Sequence, residues 1–268
     1  MARENLAALT LTAPEFGPIA SAGLAADASA RFDALPLVQE GESKILRELA
    51  PGLVAIKFKP TIYSMSANRY ESVEGTEALR LSASAILWQV LRDAGLSIGV
   101  LDVAHDCYVA PYVDAPPVET IVKAALVGTP VHLYHGITEH RTRDGLPLRI
   151  GAQHPAYVRF DWRNPLPHKD ECMPLWLANR FIDIEAATET ALAAFGALRS
   201  FLSKRRIEIL DICFFIDASG RTIFGEVSPD CMRCKYLGSD LDKDLWRKGR
   251  SRAEVSDGWR QFLDLIAA

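Results

Sequence analysis

Three apolar stripes at helical spacing, separated by β-branched runs that never settle into a regular strand–helix alternation, constrain this chain more than any other feature. Leu79, Ala83, Ile86, Leu87, Val90 and Leu91 recur at the helical period, with Thr76 placed to cap that helix and Gly95 to end it. A second helix is predicted over about 183–204, with Ile184, Ala187, Ala191, Phe195, Leu198 and Leu202 on one stripe. The last is predicted from near Ser256, carrying Val255, Trp259, Phe262, Leu263 and Ile266. Leu53–Phe58, flanked by Pro51-Gly52 and Pro60, reads as a short strand, and Gly41-Glu42-Ser43-Lys44 as a glycine turn between strands. Residues 206–216 and 222–227, joined by Asp217-Ala218-Ser219-Gly220, read as a β-hairpin. Residues 157–162 and 118–123 read as further strands, although 119–126 also suits a short helix. Strand and helix blocks of this kind predict an α+β fold rather than a doubly wound sheet.

At 268 residues the chain suffices for one large core or for two lobes sharing a cleft, and length leaves both open. With 49% hydrophobic and 24% charged residues and a net charge of −4, it has the composition of an ordinary soluble globular protein, and its bulk charge argues against a nucleic-acid partner. Apolar stretches such as 83–91 are broken by Ser84 and Gln89 and fall short of the roughly 20 residues that span a bilayer, so no membrane segment is expected. Glu4 and the threonines and prolines after it do not read as a secretory signal. Cys107, Cys172, Cys213, Cys231 and Cys234 form an odd, scattered set, which predicts reduced thiols and a cytoplasmic location. Residues 1–34, rich in Ala, Ser, Pro and Gly, read as an extension lying on or off the main body.

The P-loop, the dinucleotide-binding glycine fingerprint, the His-Glu-x-x-His helix and the Gly-x-Ser-x-Gly elbow are all missing. Cys231-x-x-Cys234 and His132-x-x-His135 are spaced like metal half-sites, but neither has a partner pair at a structural-zinc distance, so both read as ordinary core or surface residues. The densest polar information lies in Gly225-Glu226-Val227-Ser228-Pro229-Asp230-Cys231-Met232-Arg233. Carboxylates supply hard oxygen ligands for Mg2+, and an arginine fork matches a carboxylate or phosphate. A turn capped by its own ion pair explains the same residues equally well. Residues 241–248 form a second mixed-charge cluster that, taken alone, reads as a solvated helix face.

Together, Glu226-Val227-Ser228-Pro229-Asp230-x-x-Arg233 and Leu241-Asp242-Lys243-Asp244-x-x-Arg247 resemble, in order, two linked motifs of the SAICAR synthetase family, Glu-Ile/Phe-Ser-Pro-Asp-x-x-Arg and Leu-Asp-Lys-Asp-x-x-Arg. Upstream, Glu40-Gly41-Glu42-Ser43-Lys44 resembles that family's Glu-Gly-Lys-x-Lys turn. Pro117-Val118-Glu119 through Lys123 to Gly128-Thr129 resembles its Pro-x-Glu-x-x-x-Arg…Gly-Ser segment, and Tyr157-Val158-Arg159-Phe160-Asp161 its Tyr-Lys-x-Asp stretch. The resemblance covers roughly 36–250. It implies an ATP-grasp-like, two-lobed fold with antiparallel sheets and a cleft between lobes. The N-terminal lobe, 35–112, would form the nucleotide side, and 113–268 the substrate and metal side. It further implies an ATP-dependent carbon–nitrogen ligase that uses ATP and Mg2+ on small-molecule ribonucleotide and amino-acid substrates, in an arrangement compatible with a homo-oligomer. In the family's reaction ATP phosphorylates a carboxylate on an imidazole ribonucleotide, and the amine of aspartate displaces phosphate to leave an amide. By position, the resemblance implies Lys44, Asp230 and Arg233 as the catalytic group. Lys44, Gly41 and Arg159 would lie on the cofactor side, with Glu226 and Asp211 as Mg2+ ligands. Lys123, Thr129 and Arg247 would cradle the 5′-phosphate, with Arg233, Glu119, Gly128, Ser228, Asp230 and Lys243 as further substrate contacts.

Five departures stand beside these matches. Glu42 replaces the first lysine of the glycine turn, which brings negative charge towards a polyphosphate. In Asp211-Ile212-Cys213-Phe214-Phe215-Ile216-Asp217 a lysine and an acidic metal-side residue of the family's Asp-Phe-Lys-Leu-Glu-Phe-Gly have become Cys213 and Phe215. Residues 59–63 and 75–77 replace the family's Asp-x-Thr-Ala-Phe and Gly-Lys-Gly stretches, with Asn68 and Arg69 as candidate substitutes. Three readings follow: a divergent ligase of specialised nucleoside biosynthesis, a housekeeping SAICAR synthetase of purine biosynthesis, or a catalytically silent nucleotide-binding relative.

Overall fold

The computed structural model describes residues 23–64, 69–165 and 168–268, apart from the His132 side chain. Helix α1 (Leu24–Ala30) leads into strands β1 (Leu37–Glu40), β2 (Lys44–Ala50) and β3 (Leu53–Phe58), paired antiparallel in that order. β4 (Thr61–Ser64) and β5 (Arg69–Ser72) make a separate ribbon. Helix α2 (Thr76–Asp93) is followed by β6 (Ser97–Ile98), β7 (Asp102–Val103) and β8 (Tyr108–Pro111), and β8 returns beside β3 to complete a five-stranded sheet in the order β1-β2-β3-β8-β7.

The second sheet starts with β9 (Val118–Ala125), then, past helix α3 (Thr129–Leu133), β10 (Gln153–Trp162) and β11 (Glu171–Cys172). Helices α4 (Leu175–Ala178) and α5 (Ile184–Ser203) lead to β12 (Ile207–Phe214), β13 (Thr222–Ile223), β14 (Met232–Tyr236) and β15 (Ser239–Asp240), with α6 (Asp244–Arg247) and α7 (Arg252–Ala267) closing the chain. The spatial order is β11-β10-β9-β12-β14-β15, antiparallel throughout. This is the expected α+β, two-lobed architecture, and the alternative of a short helix over 119–126 gives way to β9.

The main core lies where α2, α5 and α7 meet the sheets. Trp88, Leu87, Leu91, Phe160, Phe195, Leu198, Phe214 and Phe262 are buried there. Asp183 caps α5 by accepting from the amide of Ala186 at 3.1 Å. The small stripe of Ala187, Ala191 and Ala194 then lets α5 lie close on the second sheet. Ala25, Ala28 and Phe32 pack with Ala55, Cys107 and Val109, so residues 24–34 lie on the body, whereas 1–22 of the expected extension fall outside the described residues.

Three local expectations are corrected. Thr76 does not cap α2: its buried hydroxyl donates back to the carbonyl of Val73 at 2.7 Å, and Gly75, at φ 88°, takes the cap position. The last helix begins at Arg252, earlier than Ser256, because Ser251 and Glu254 form a reciprocal capping box. The hairpin after β12 is short: Asp217 donates to the Thr222 carbonyl and Phe224 to that of Phe215. Beyond it, β12 pairs with β14, while β13 pairs in parallel with β6. The turn needs Gly220, since a Cβ there would stand 2.6 Å from both the Ala187 nitrogen and the Asp183 carbonyl oxygen. Between Phe224 and Cys231, which still bond to Phe215 and Cys213, the chain turns to side chains of α2.

Candidate active site

Lys44 opens β2 directly after the glycine turn, which closes with Gly41 donating to the Lys44 carbonyl at 2.9 Å. Its ammonium reaches across the cleft between the Phe58 and Phe215 rings, 5.3 and 5.5 Å from their centroids, and ends 3.6 Å from Glu226 Oε2. The segment that carries Glu226 is gripped by one face of α2. Arg80 binds Glu226 bidentately at 2.7 Å per bond, Ser84 Oγ accepts from the Val227 amide at 3.3 Å, and Trp88 Nε1 donates to the Gly225 carbonyl at 2.9 Å. Spacing of four residues places all three on one stripe of the helix. Burial would raise the Glu226 pKa, but the Arg80 guanidinium overrides it and holds the carboxyl at about 2.

On the second sheet, register brings the remaining groups into rows. Lys123 stands opposite Asp211, and Asp211 opposite Arg233. The Lys123 ammonium bonds Asp211 and the Val127 carbonyl, Arg233 Nη1 bonds Asp211 Oδ2 at 2.8 Å, and Asp244 Oδ1 bridges Arg233 Nε at 3.2 Å and Arg247 Nη1 at 2.7 Å. Three cations thus share two carboxylates. Burial lowers the Lys123 pKa, with Asp211 pulling the other way. Two residues along the strands, Arg159 and Cys213 flank Ile121, and two further on Glu119 stands opposite Asp161, which in turn faces Cys172. Burial raises the pKa of Glu119, Asp161 and Asp170 at this acidic end, Arg159 opposing it at Asp161.

These groups enclose a cavity of about 470 Å³, a volume suited to a small-molecule ligand. Of the residues nominated from sequence, Lys44, Glu119, Lys123, Thr129, Arg159, Asp211, Glu226, Asp230, Arg233, Lys243 and Arg247 line it. Gly41, Gly128 and Ser228 do not. Gly41 is exposed on the turn, and Gly128, at φ 65°, leaves room for the Arg233 guanidinium, which would lie 2.6 Å from a Cβ. Ser228 is buried and donates to Glu226 Oε1 while accepting from the Asp230 amide. Glu42 is exposed and does not line the cavity, unlike its neighbours Ser43 and Lys44. Arg69 lies over the Trp246 ring, 3.4 Å from its centroid, and does not line the cavity, while Asn68 falls outside the described residues. Cys234 is fully buried and is not a member of the group that Cys231 forms with Glu226 and Asp230, and the His132 side chain of the second spacing lies outside the described residues.

Of the two nominated metal ligands, Glu226 is the one whose carboxylate is fully engaged by the protein. Both Glu226 oxygens are taken by Arg80, and Asp211 Oδ2 by Lys123 and Arg233. The groups that do converge within 4.8 Å are Glu226, Asp230 and Cys231, and a thiol is a poor ligand for a hard cation. Within this group Asp230 has an unpartnered oxygen, its buried Oδ1, while Oδ2 pairs with Lys243 at 3.0 Å. Arg80, Asp161 and Asp244 were missed from sequence. For Arg80 a signal existed: Thr76, Arg80 and Ser84 recur at four-residue spacing, a polar stripe on an otherwise apolar helix.

A family model described as SAICAR synthetase matches residues 37–264. The chain belongs to the SAICAR synthetase family. Members of the SAICAR synthetase family are ATP-dependent carbon–nitrogen ligases, and this chain is a ligase of that type. One similar protein is the "Bifunctional cordycepin biosynthesis cluster protein 3" of Cordyceps militaris, 28% identical over 85% of this chain. The chain spans only 32% of that fungal protein's length. Another is the phosphoribosylaminoimidazole-succinocarboxamide synthase of Methanopyrus kandleri, 27% identical over 86% of this chain and 93% of that one. The fold is shared with the crystal structure of the Ehrlichia chaffeensis enzyme of the same name, at a TM-score of 0.76 and 18% identity, over 87% of this chain and 98% of that one. Among the described residues no helix is long and apolar enough to cross a membrane.

Proposed function

We propose that this chain forms an amide between a carboxylated azole ribonucleotide and an amino acid such as aspartate, at the expense of ATP, in specialised nucleoside biosynthesis. The observation that carries the reading is the approach of Lys44 to Glu226 across a cavity whose far wall holds Lys123, Arg233 and Arg247. A triphosphate beside Lys44 and a sugar phosphate beside the three basic groups can meet there. The reaction then needs the γ-phosphoryl group to pass to an oxygen of the acceptor carboxylate, giving ADP and an acyl phosphate. The amine lone pair attacks the acyl carbon, the carbon–oxygen bond to phosphate breaks, inorganic phosphate leaves with the electron pair, and the nitrogen loses a proton.

In this reading Lys44 and Arg159 attend the nucleotide, Asp230 and Arg233 orient the reacting groups, and Lys123, Thr129 and Arg247 hold the 5′-phosphate. Residues 35–112 act as the nucleotide lobe and 113–268 as the substrate lobe. Mg2+ enters as the counter-ion of ATP. Cys213 in place of a lysine and Phe215 in place of an acid favour an acceptor other than the purine intermediate, and the cordycepin-cluster relative supports specialised metabolism. The five unpaired cysteines agree with a cytoplasmic setting.

Incubation with Mg-ATP, aspartate and a panel of carboxylated azole ribonucleotides, following ADP and amide together, tests this. ADP and amide with an acceptor other than carboxyaminoimidazole ribonucleotide is the expected result. Turnover with that purine intermediate alone would make the chain a housekeeping enzyme. No ADP with any acceptor, and no ATP binding by calorimetry, would leave a silent relative.

A further inference from the structure

The deepest ion pair of the cleft involves a residue that faces no ligand. Arg80 is fully buried and does not line the cavity, yet it gives Glu226 two 2.7 Å bonds and donates a third to the Lys59 carbonyl at 3.0 Å. Ser228 adds a hydrogen bond to Glu226 Oε1, and Lys44 stands 3.6 Å from Oε2. Glu226 is therefore neutralised before any ligand arrives. Phe215, where the family carries an acid, adds no charge, and its ring lies under Lys44 and 4.9 Å from the Arg163 guanidinium. A divalent cation at Glu226 would have to displace a bidentate guanidinium held by a third bond and by the packing of α2, with Asp230 Oδ1 as the one spare carboxylate oxygen in the group.

We infer that Arg80 permanently occupies the counter-ion position at Glu226, so that the nucleotide side of the cleft is charged by the protein's own Lys44 and Arg80 and takes up divalent metal only together with a nucleotide. Arg80 is thus a positioning residue: it fixes Glu226, and Glu226 with the two rings fixes the Lys44 ammonium in the cavity. This rests on the nucleotide-side reading above, but its test involves no turnover, so failure of the ligase assay and failure of this inference are separable.

The probe is Mn2+ alone, titrated into the nucleotide-free full chain and followed by the electron paramagnetic resonance of free Mn2+. The wild type is expected to bind none at Glu226, so that Glu226→Gln leaves the titration unchanged. Arg80→Gln should expose the carboxylate and raise Mn2+ affinity at least ~10-fold, the scale on which partners of a ligand set metal affinity. Arg80→Lys, which keeps the counter-charge, should stay like the wild type, and Arg80→Gln/Glu226→Gln should lose the gain. A single Mn2+ site in the wild type that Glu226→Gln abolishes would overturn the inference. So would a folded Arg80→Gln protein that gains no site. Should Arg80→Gln not fold, the wild-type and Glu226→Gln titrations still decide.

Discussion

Replacing Arg80 by Met removes a guanidinium that is fully buried and leaves Glu226, itself 2% exposed, without its bidentate partner. Breaking a buried pair by deleting one member costs about 3–5 kcal/mol, because the surviving charge remains desolvated. Lys44 at 3.6 Å and the Ser228 hydroxyl retain part of the compensation, so the lower end, about 3 kcal/mol, is expected. The depressed pKa of Glu226 expresses the same ion pair. A carboxyl held at about 2 against its ordinary 4.5 corresponds to about 3 kcal/mol in favour of the ionised folded state. The folded pKa is depressed, so this stabilisation is present above about pH 4.5 and is lost as the pH falls towards 2. At roughly 2–4 °C per kcal/mol for a chain near this size, Arg80→Met should lower the melting temperature at pH 7 by about 6–12 °C, measured by calorimetry or circular dichroism. The mutant's melting temperature should also fall less than the wild type's between pH 4.5 and the acid limit, because its Glu226 no longer has the depressed pKa. Arg80→Met/Glu226→Leu, with both charges gone, should recover most of the loss. A drop of under ~2 °C, or a double variant no better than the single one, would refute the reasoning.

Three further outcomes are expected. Arg247→Ala should raise the KM for the ribonucleotide more than that for ATP, because a phosphate anchor away from the reacting atoms acts in binding; steady-state kinetics in both substrates would read it. Gly128→Ala combines a φ of 65° with a Cβ 2.6 Å from Arg233 Nη1, so it should cost about 1–3 kcal/mol by denaturant unfolding and raise the ribonucleotide KM as Arg233 shifts. Burial, reinforced by Asp244, pushes Asp242 up to about 7. Its folded pKa lies above the ordinary 3.8, so its contribution is fully present below about pH 4 and is lost as the pH rises through 7; the melting temperature of Asp242→Asn should therefore decline less over that range than the wild type's.

The helices and most strands were legible because their apolar periods are long and regular, as at Leu79 to Leu91 and along α5. Errors fell where side chains choose between local partners. Thr76 bonds backwards instead of forwards, and the Ser251–Glu254 box starts α7 before its apolar stripe does. The hairpin after β12 is shorter than the sequence predicts because β-branched runs around a strong turn signal do not reveal that β12 takes a more distant partner, β14. For the cavity, motif order was enough to nominate most of its charged lining, since residues such as Glu226, Asp230 and Arg233 are close in sequence as well as in space. Arg80 lies 146 positions from Glu226, and no spacing rule links an arginine on a packing helix to a carboxylate so far along the chain.

The row arrangement of the second sheet has a consequence for how a ligand can lie. Lys123 and Glu119 are four residues apart on one strand, roughly 13 Å at the usual rise. Over that span the face turns from a surplus of basic groups to three carboxylates, Glu119, Asp161 and Asp170. An elongated molecule with one anionic tip would thus find a single favourable heading, like a compass needle over a fixed magnet. Reversing the chemical asymmetry of the molecule, rather than its shape, is what this surface would reject.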